Sequence, residues 1–133
     1  MQVTDMKKAI RATNPEPPRR SDCAVANTLD RVGDKWTMLL VRDMLAGKTT
    51  YGQFLESPEG IPTNILADRL KRLEQFGLIA RSVYQERPVR HAYTLTAQGK
   101  QLGLVLRAMA DWGLKNIPGT KKEIVPGVFL SKR

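Results

Sequence analysis

The sequence holds one cysteine and one histidine in 133 residues. A single cysteine excludes a disulfide framework within the chain. Cys23 and His91 could give a metal two protein ligands, short of the four that close a structural zinc site, so neither metal nor cofactor is expected. Catalysis has little to work with. It needs a nucleophile beside a base or a tuned acid–base pair, and the chain has neither a carboxylate cluster nor a phosphate-cradling loop. Aromatic residues make up 6% of the chain, few for a surface that stacks RNA bases. Long apolar runs are missing too. Met38 to Val41 ends at Arg42, and the stretch around Leu104 is interrupted by charges, so no membrane span is expected. The N-terminus carries charge but no apolar signal core. There is no internal repeat and no low-complexity tract. The expectation is a soluble, cytoplasmic protein that is not an enzyme.

Hydrophobic residues form 41% of the chain, and the net charge is +9. The first figure gives one domain a core. The second invites a nucleic-acid reading, since phosphate neutralisation drives non-specific binding. The charge is uneven, however. Residues 1–20 carry five Lys/Arg against Asp5 and Glu16, and residues 119–133 carry four against Glu123. Each end thus holds a third of the excess, and charge alone is almost as well explained by a solvated surface.

Periodicity gives the order of elements. Val3, Met6 and Ile10 mark a weak helical segment over residues 1–11, and Pro15, Pro17 and Pro18 make an extended linker. After Ser21 or Asp22 as cap, Val25, Leu29 and Val32 define a short amphipathic helix over Cys23 to Val32, closed by Gly33. Asp34 caps a second helix with Trp36, Leu39, Leu40 and Met44 inward, ending at Gly47. Thr50 opens a third, with Tyr51, Phe54 and Leu55 as its apolar positions. Ser57-Pro58-Glu59-Gly60 is turn chemistry, and Pro62 suits the first turn of a fourth helix. There Ile65, Leu66, Leu70, Leu73 and Phe76 share one side, while Asn64, Ala67, Asp68, Lys71 and Gln75 share the other. Beyond Gly77 the period changes. Leu78 to Tyr84 and His91 to Leu95 predict two strands joined by a polar loop over residues 85–90. Thr96 caps a long last helix ending at Ile117.

Helix, turn, helix and then a β-hairpin make a winged helix-turn-helix. The predicted fold is mainly α with a small β-hairpin wing, extended by N- and C-terminal dimerisation helices. Three regions follow: residues 1–20 as arm and Pro-rich linker, 21–117 as the domain with its C-terminal dimerisation helix, and 118–133 as a basic tail.

Six pieces of sequence stand in register. The first is Cys23 opening a helix, followed by Leu29 and Gly33-x-Lys35-Trp36-Thr37. Further pieces are Leu66-x-x-Arg69-Leu70-x-x-Leu73-Glu74, Gly77-Leu78-Ile79-x-Arg81, Tyr84 and Pro88, Tyr93-Thr94-Leu95-Thr96-x-x-Gly99-x-x-Leu102, and Trp112-Gly113. Together they resemble the HxlR family of winged helix-turn-helix regulators, which are related to the MarR-like regulators. The chain departs from the family at Pro62, where Ser or Thr is common, and at Ala92, where Glu is frequent. The resemblance implies a homodimeric transcriptional regulator, often a repressor, responding to a signal. It also implies a redox or electrophile sensor at Cys23, because the matching cysteine serves so in several relatives.

On that frame the DNA-contacting candidates are Thr50, Thr63, Asn64, Asp68, Arg69, Lys71, Arg72, Arg87 and Arg90. Asn64 can pair with an adenine edge, and Lys71 lies on the same outer face. Thr50 sits where helix-start amides can hold a phosphate. Arg87 and Arg90, at the hairpin tip, suit a minor groove or the backbone. Asp68 and Arg69 support two readings, a DNA contact or an intramolecular pair. Cys23 likewise supports two, a sensing thiol at a helix start or a small packed hydrophobe. Leu102, Val105, Leu106, Met109 and Trp112, with Leu114, cover more than one helix face, which predicts a dimer interface. Val3, Met6 and Ile10 could join it as an arm. The expected partners are a pseudo-palindromic duplex operator, a second copy of the chain and, in one version, a small-molecule effector. The alternative is a protein-interaction winged helix that does not bind DNA.

Overall fold

The computed structural model describes residues 18–121. The expected helix over residues 1–11, the arm residues Val3, Met6 and Ile10, most of the Pro-rich linker and most of the basic tail lie outside them. In chain order the elements are α1 (Ala24–Val32), α2 (Thr37–Leu45), α3 (Tyr51–Leu55), α4 (Thr63–Gln75), β1 (Ile79–Glu86), β2 (Val89–Leu95), α5 (Ala97–Lys100) and α6 (Leu102–Asn116). This is a mainly helical winged helix-turn-helix. Among the described residues no helix is long and apolar enough to cross a membrane.

Cys23, and neither Ser21 nor Asp22, holds the N-cap position of α1. Ser21 instead accepts the Cys23 N–H at 3.1 Å, and Asn27 donates to the Ser21 and Cys23 carbonyls at 3.0 and 2.8 Å. Only Val32 of the apolar stripe is buried; Val25 and Leu29 are exposed.

α2 lies at the centre. Met38, Leu40, Val41 and Met44 are all buried, whereas Trp36 and Leu39 are half-buried. The helix packs on α6 and β2. Its buried acid, Asp43, is fully partnered. Ser57 donates its hydroxyl to Asp43 at 2.6 Å, and Arg42 reaches Asp43 at 2.9 Å and Glu59 at 2.8 Å. Lys48 donates to Ser57 at 2.9 Å. A buried charge is tolerated only with such partners. The network pins the turn between α3 and α4 to α2, and so fixes where α4 begins.

Thr50 caps α3 in a capping box with Gln53, and Phe54 is fully buried. Pro62 is the N-cap of α4, one position before the expected first turn. Leu66, Leu70 and Leu73 are at most 2% exposed, and burial of each such side chain contributes about 1.5–3 kcal/mol. The helix stops in a Schellman turn. Gly77 takes φ 75°, its N–H donates to Glu74 at 3.0 Å, and the Leu78 N–H donates to Leu73 at 3.0 Å. That reversal delivers Leu78 and Ile79 into the core.

β1 and β2 pair antiparallel from Ile79–Leu95 out to Glu86–Val89, with a bulge at Tyr84. The strands are therefore longer than expected. The segment read as a loop over residues 85–90 is mostly ladder, and the turn itself is Arg87-Pro88. Beyond Ile79 the strand projects away from the core, with every residue but one of 80–86 exposed. Backbone hydrogen bonds hold such a ladder without any apolar alternation.

The expected single last helix is two. Thr96 caps α5 by accepting the Gly99 N–H at 3.1 Å, and Gln101 separates α5 from α6. Gly99 is packed so closely that an added Cβ would stand 2.0 Å from the Leu78 carbonyl oxygen.

Candidate DNA interface

The buried leucines of α4 fix which side it shows. Thr63, Asn64, Ala67, Asp68, Lys71 and Gln75 are all exposed, and Arg72 is half-buried. α4 and the wing border one groove, lined by Tyr51, Ala67, Lys71, Glu74, Arg81 and Tyr93. A second groove, between the start of α3 and the wing, is lined by Thr50, Tyr51, Tyr84, Arg90, His91 and Tyr93. Tyr93 joins the two faces, its N–H donating to the Thr49 carbonyl at 2.8 Å. Burial pushes the Tyr51 phenol pKa up, so it stays a neutral hydroxyl able to donate. Thr50, Asn64, Lys71 and Arg90 are thus gathered along one side of the molecule.

Arg87 sits in the exposed two-residue turn at the wing tip. Gln85 donates to the carbonyls of Arg87 and Pro88 at 3.4 and 3.2 Å. Arg90 is not in a loop; it is a strand residue paired with Gln85. Two exposed residues on this side escaped the sequence reading as site residues. Arg81 projects beside α4, 3.7 Å from Glu74, and Tyr84 stands at the bulge. Their signals were weak, a charged residue inside a strand pattern and an aromatic at its end.

Arg69 is not part of the open face. Its Nε donates to Asp34 at 2.8 Å, its Nη1 pairs with Asp68, and its side chain is 17% exposed. Of the two readings left open, the intramolecular pair is the one found. Asp34 also accepts the Trp36 and Thr37 N–H groups at 3.0 and 3.2 Å and the Thr37 hydroxyl. Burial acts to raise its pKa, but these donors and the Arg69 guanidinium outweigh it and hold the carboxyl at about 2.

α1 and α6 leave apolar side chains uncovered. Val25 is 66% exposed and Trp112 62%, with Leu29, Val105 and Met109 also exposed. A shallow groove lined by Thr28, Val32, Leu102 and Val105 runs between the two helices. One residue expected at an interface points elsewhere. Leu106 is buried in the chain's own core, because the inward stripe of α6 must cover α2, while Leu102 packs partly against that core and also borders the groove. Cys23 is exposed, which overturns its reading as a packed core thiol.

A sequence model of the HxlR-like helix-turn-helix family matches residues 31–121. An HTH-type transcriptional regulator from Synechocystis is 38% identical over 94 residues, covering 68% of this chain and 70% of its own length. Among solved structures, the redox regulator HypR in its oxidised form aligns with TM-score 0.65 at 34% identity, over 71% of this chain and 97% of that one. The reduced transcriptional regulator YodB from Bacillus subtilis aligns with TM-score 0.61 at 28% identity, over 76% and 100%. With a winged helix-turn-helix fold, an exposed polar face on its fourth helix and these relatives, the chain belongs to the HxlR-like helix-turn-helix family of transcriptional regulators.

Proposed function

We propose that the protein is a sequence-specific DNA-binding repressor acting as a homodimer, with α4 in the major groove and the wing at the minor groove or backbone. The observation that carries this reading is the two-sidedness of α4. Leu66, Leu70 and Leu73 are buried, and opposite them Asn64, Asp68 and Lys71 are open to solvent, with Thr63 exposed at the helix start. A helix held by one face and polar on the other suits base edges in a groove wide enough to admit it. Asn64 is the adenine-reading residue. Lys71 and the half-buried Arg72 serve phosphates on either flank, and Thr50 orients the start of α3 toward a phosphate. Arg87 and Arg90 extend the contact along the wing.

The uncovered apolar residues of α1 and α6 support a dimer. Two copies then present two α4 helices to half-sites roughly one helical turn (~10 bp) apart, or a multiple of it. Regulation is proposed at Cys23. It is exposed, and a structural relative is a redox regulator by name. As the sequence holds one cysteine, oxidation by peroxide joins two chains. Two thiols lose two protons and two electrons, forming one S–S bond, while peroxide is reduced to water. A small-molecule effector bound near the dimer interface is the other regulatory reading.

The test is a footprint on the DNA upstream of the protein's own coding region, with wild type and Asn64→Ala. Protection by wild type that weakens roughly 5- to 150-fold in Asn64→Ala, with little change on random DNA, is expected. Absence of protection on any duplex, with a partner protein bound instead, refutes the reading in favour of an interaction module.

A further inference from the structure

α4 carries a carboxylate where its groove-facing side would ordinarily be neutral or basic. Asp68 lies four residues after Asn64 and three before Lys71, on the same exposed face, with 53% of its side chain exposed. Left alone, it would be repelled by the phosphates that line a groove. It is not left alone. Arg69 Nη1 donates to Asp68 Oδ2, while Arg69 Nε donates to Asp34 Oδ2 at 2.8 Å. Asp34 is in turn fixed by the backbone at the start of α2, through the Trp36 and Thr37 N–H groups.

A continuous line of fixed groups therefore runs from α2, through a mostly covered guanidinium, to a carboxylate on the reading face. Arg69 is committed at both ends, so it is no phosphate anchor; its part is positional. Asp68 is restrained before DNA arrives, so forming a contact costs less side-chain entropy. Arg69 also offsets part of its charge, which lessens the repulsion from the backbone.

An ionised carboxylate only accepts hydrogen bonds. In the major groove guanine offers two acceptors, and thymine offers an acceptor and a methyl group. Donors there are the amino groups of cytosine and adenine. Adenine's amino group lies between its own N7 and the O4 of the paired thymine, both acceptors that repel a carboxylate. Cytosine's has an acceptor on one side only and a C–H on the other. From this geometry we infer that Asp68, held in place by Arg69 and Asp34, is a specificity-determining residue that selects cytosine through its N4 amino group. The inference rests on α4 reading the major groove. Asp68 lies about 6 Å along the helix from Asn64, so the selected cytosine is one or two base steps from the base that Asn64 reads.

The experiment is selection from a randomised duplex pool by the full chain, with wild type, Asn64→Ala, Asp68→Ala, Asp68→Asn and Arg69→Lys run in parallel. Wild type is expected to enrich a motif with one cytosine column favoured roughly ten-fold. Asp68→Ala flattens that column alone and binds random DNA more tightly, having lost a negative charge. Asp68→Asn moves the column toward adenine. Arg69→Lys, which keeps one charge but cannot span two carboxylates, blurs the same column and no other. If Asn64→Ala changes the motif while Asp68→Ala reproduces every wild-type column, the role of Asp68 is overturned and the groove reading stands. If wild type enriches no motif, the groove reading falls and takes this inference with it.

Discussion

Replacing Asp34 by Asn isolates one charge in the joint between α2 and α4. Asn keeps an oxygen for the Trp36 and Thr37 N–H groups that Asp34 accepts just ahead of α2, whose N-cap is Trp36. What it loses is the negative charge, which the Thr37 hydroxyl, the Arg69 guanidinium and the Trp36 N–H stabilise together against the cost of burial. The Asp34 carboxyl falls from 3.8 to about 2 on folding, worth about 2.4 kcal/mol at ~1.4 kcal/mol per pKa unit. The side chain is 23% exposed, and solvent screening reduces the contribution to about 1–2 kcal/mol. With a urea m-value of about 1.5 kcal/mol/M, the midpoint at neutral pH should fall by about 1 M. Because the folded pKa lies below the unfolded one, this stability is fully present above the unfolded value and is lost as pH falls toward about 2. Near pH 3 roughly half of the gap between wild type and variant should remain. The assay is urea unfolding of both proteins at one fixed concentration, at neutral pH and in acid. Equal midpoints at neutral pH would refute the energetic role of the Asp34 charge and its partners Thr37, Arg69 and Trp36. A gap that stays constant into acid would refute its ionic origin.

Gly99→Ala should cost about 1–3 kcal/mol in the same assay, since its Cβ would meet the Leu78 carbonyl oxygen at 2.0 Å; unchanged stability would show that the contact is not tight. The double variant Met109→Glu, Trp112→Glu should run as a monomer by light scattering at micromolar concentration, where wild type runs as a dimer. A dimer in both places the interface elsewhere. Arg87→Ala and Arg90→Ala should each weaken binding to all DNA sequences and make the dependence of log K on log salt shallower by about one unit. An unchanged slope removes the wing from the contact surface. Cys23→Ser should bind operator identically whether reduced or treated with peroxide or diamide, while wild type changes on treatment; no change in wild type leaves Cys23 outside regulation.

α4 was the most legible element, because a buried leucine stripe opposite polar residues is a signal contained in thirteen consecutive positions. The wing tip was not. Once β1 leaves the core, neither of its faces is buried, so the alternation of Ile79, Arg81 and Val83 has no continuation to show that the strands run on past Tyr84 and begin before His91. The Arg69 partnership was left open for a different reason. Asp34 and Arg69 are 35 residues apart, and only the packing of α2 against the helix-turn-helix brings them together. α6 was misread in part. An apolar residue on a helix with two apolar faces does not say which face meets its own chain, and Leu106 turned inward while Trp112 stayed out. The break at Gln101 also left no mark, since Thr96 is an equally good cap for a long helix and a short one.

Thr96 has a consequence of its own. Its hydroxyl donates to the Gly77 carbonyl at 2.7 Å, and its backbone N–H donates to the Leu78 carbonyl at 3.0 Å. One residue thus rivets the base of the wing to the end of α4, and the same hydroxyl seats α5. These bonds join helix and wing into one calliper jaw. Motion entering through α6 would then swing the whole jaw and leave its profile unaltered. In the proposed dimer, an inducing signal of that kind would change the span between two jaws, so it would abolish binding at one half-site spacing without altering the bases each half prefers.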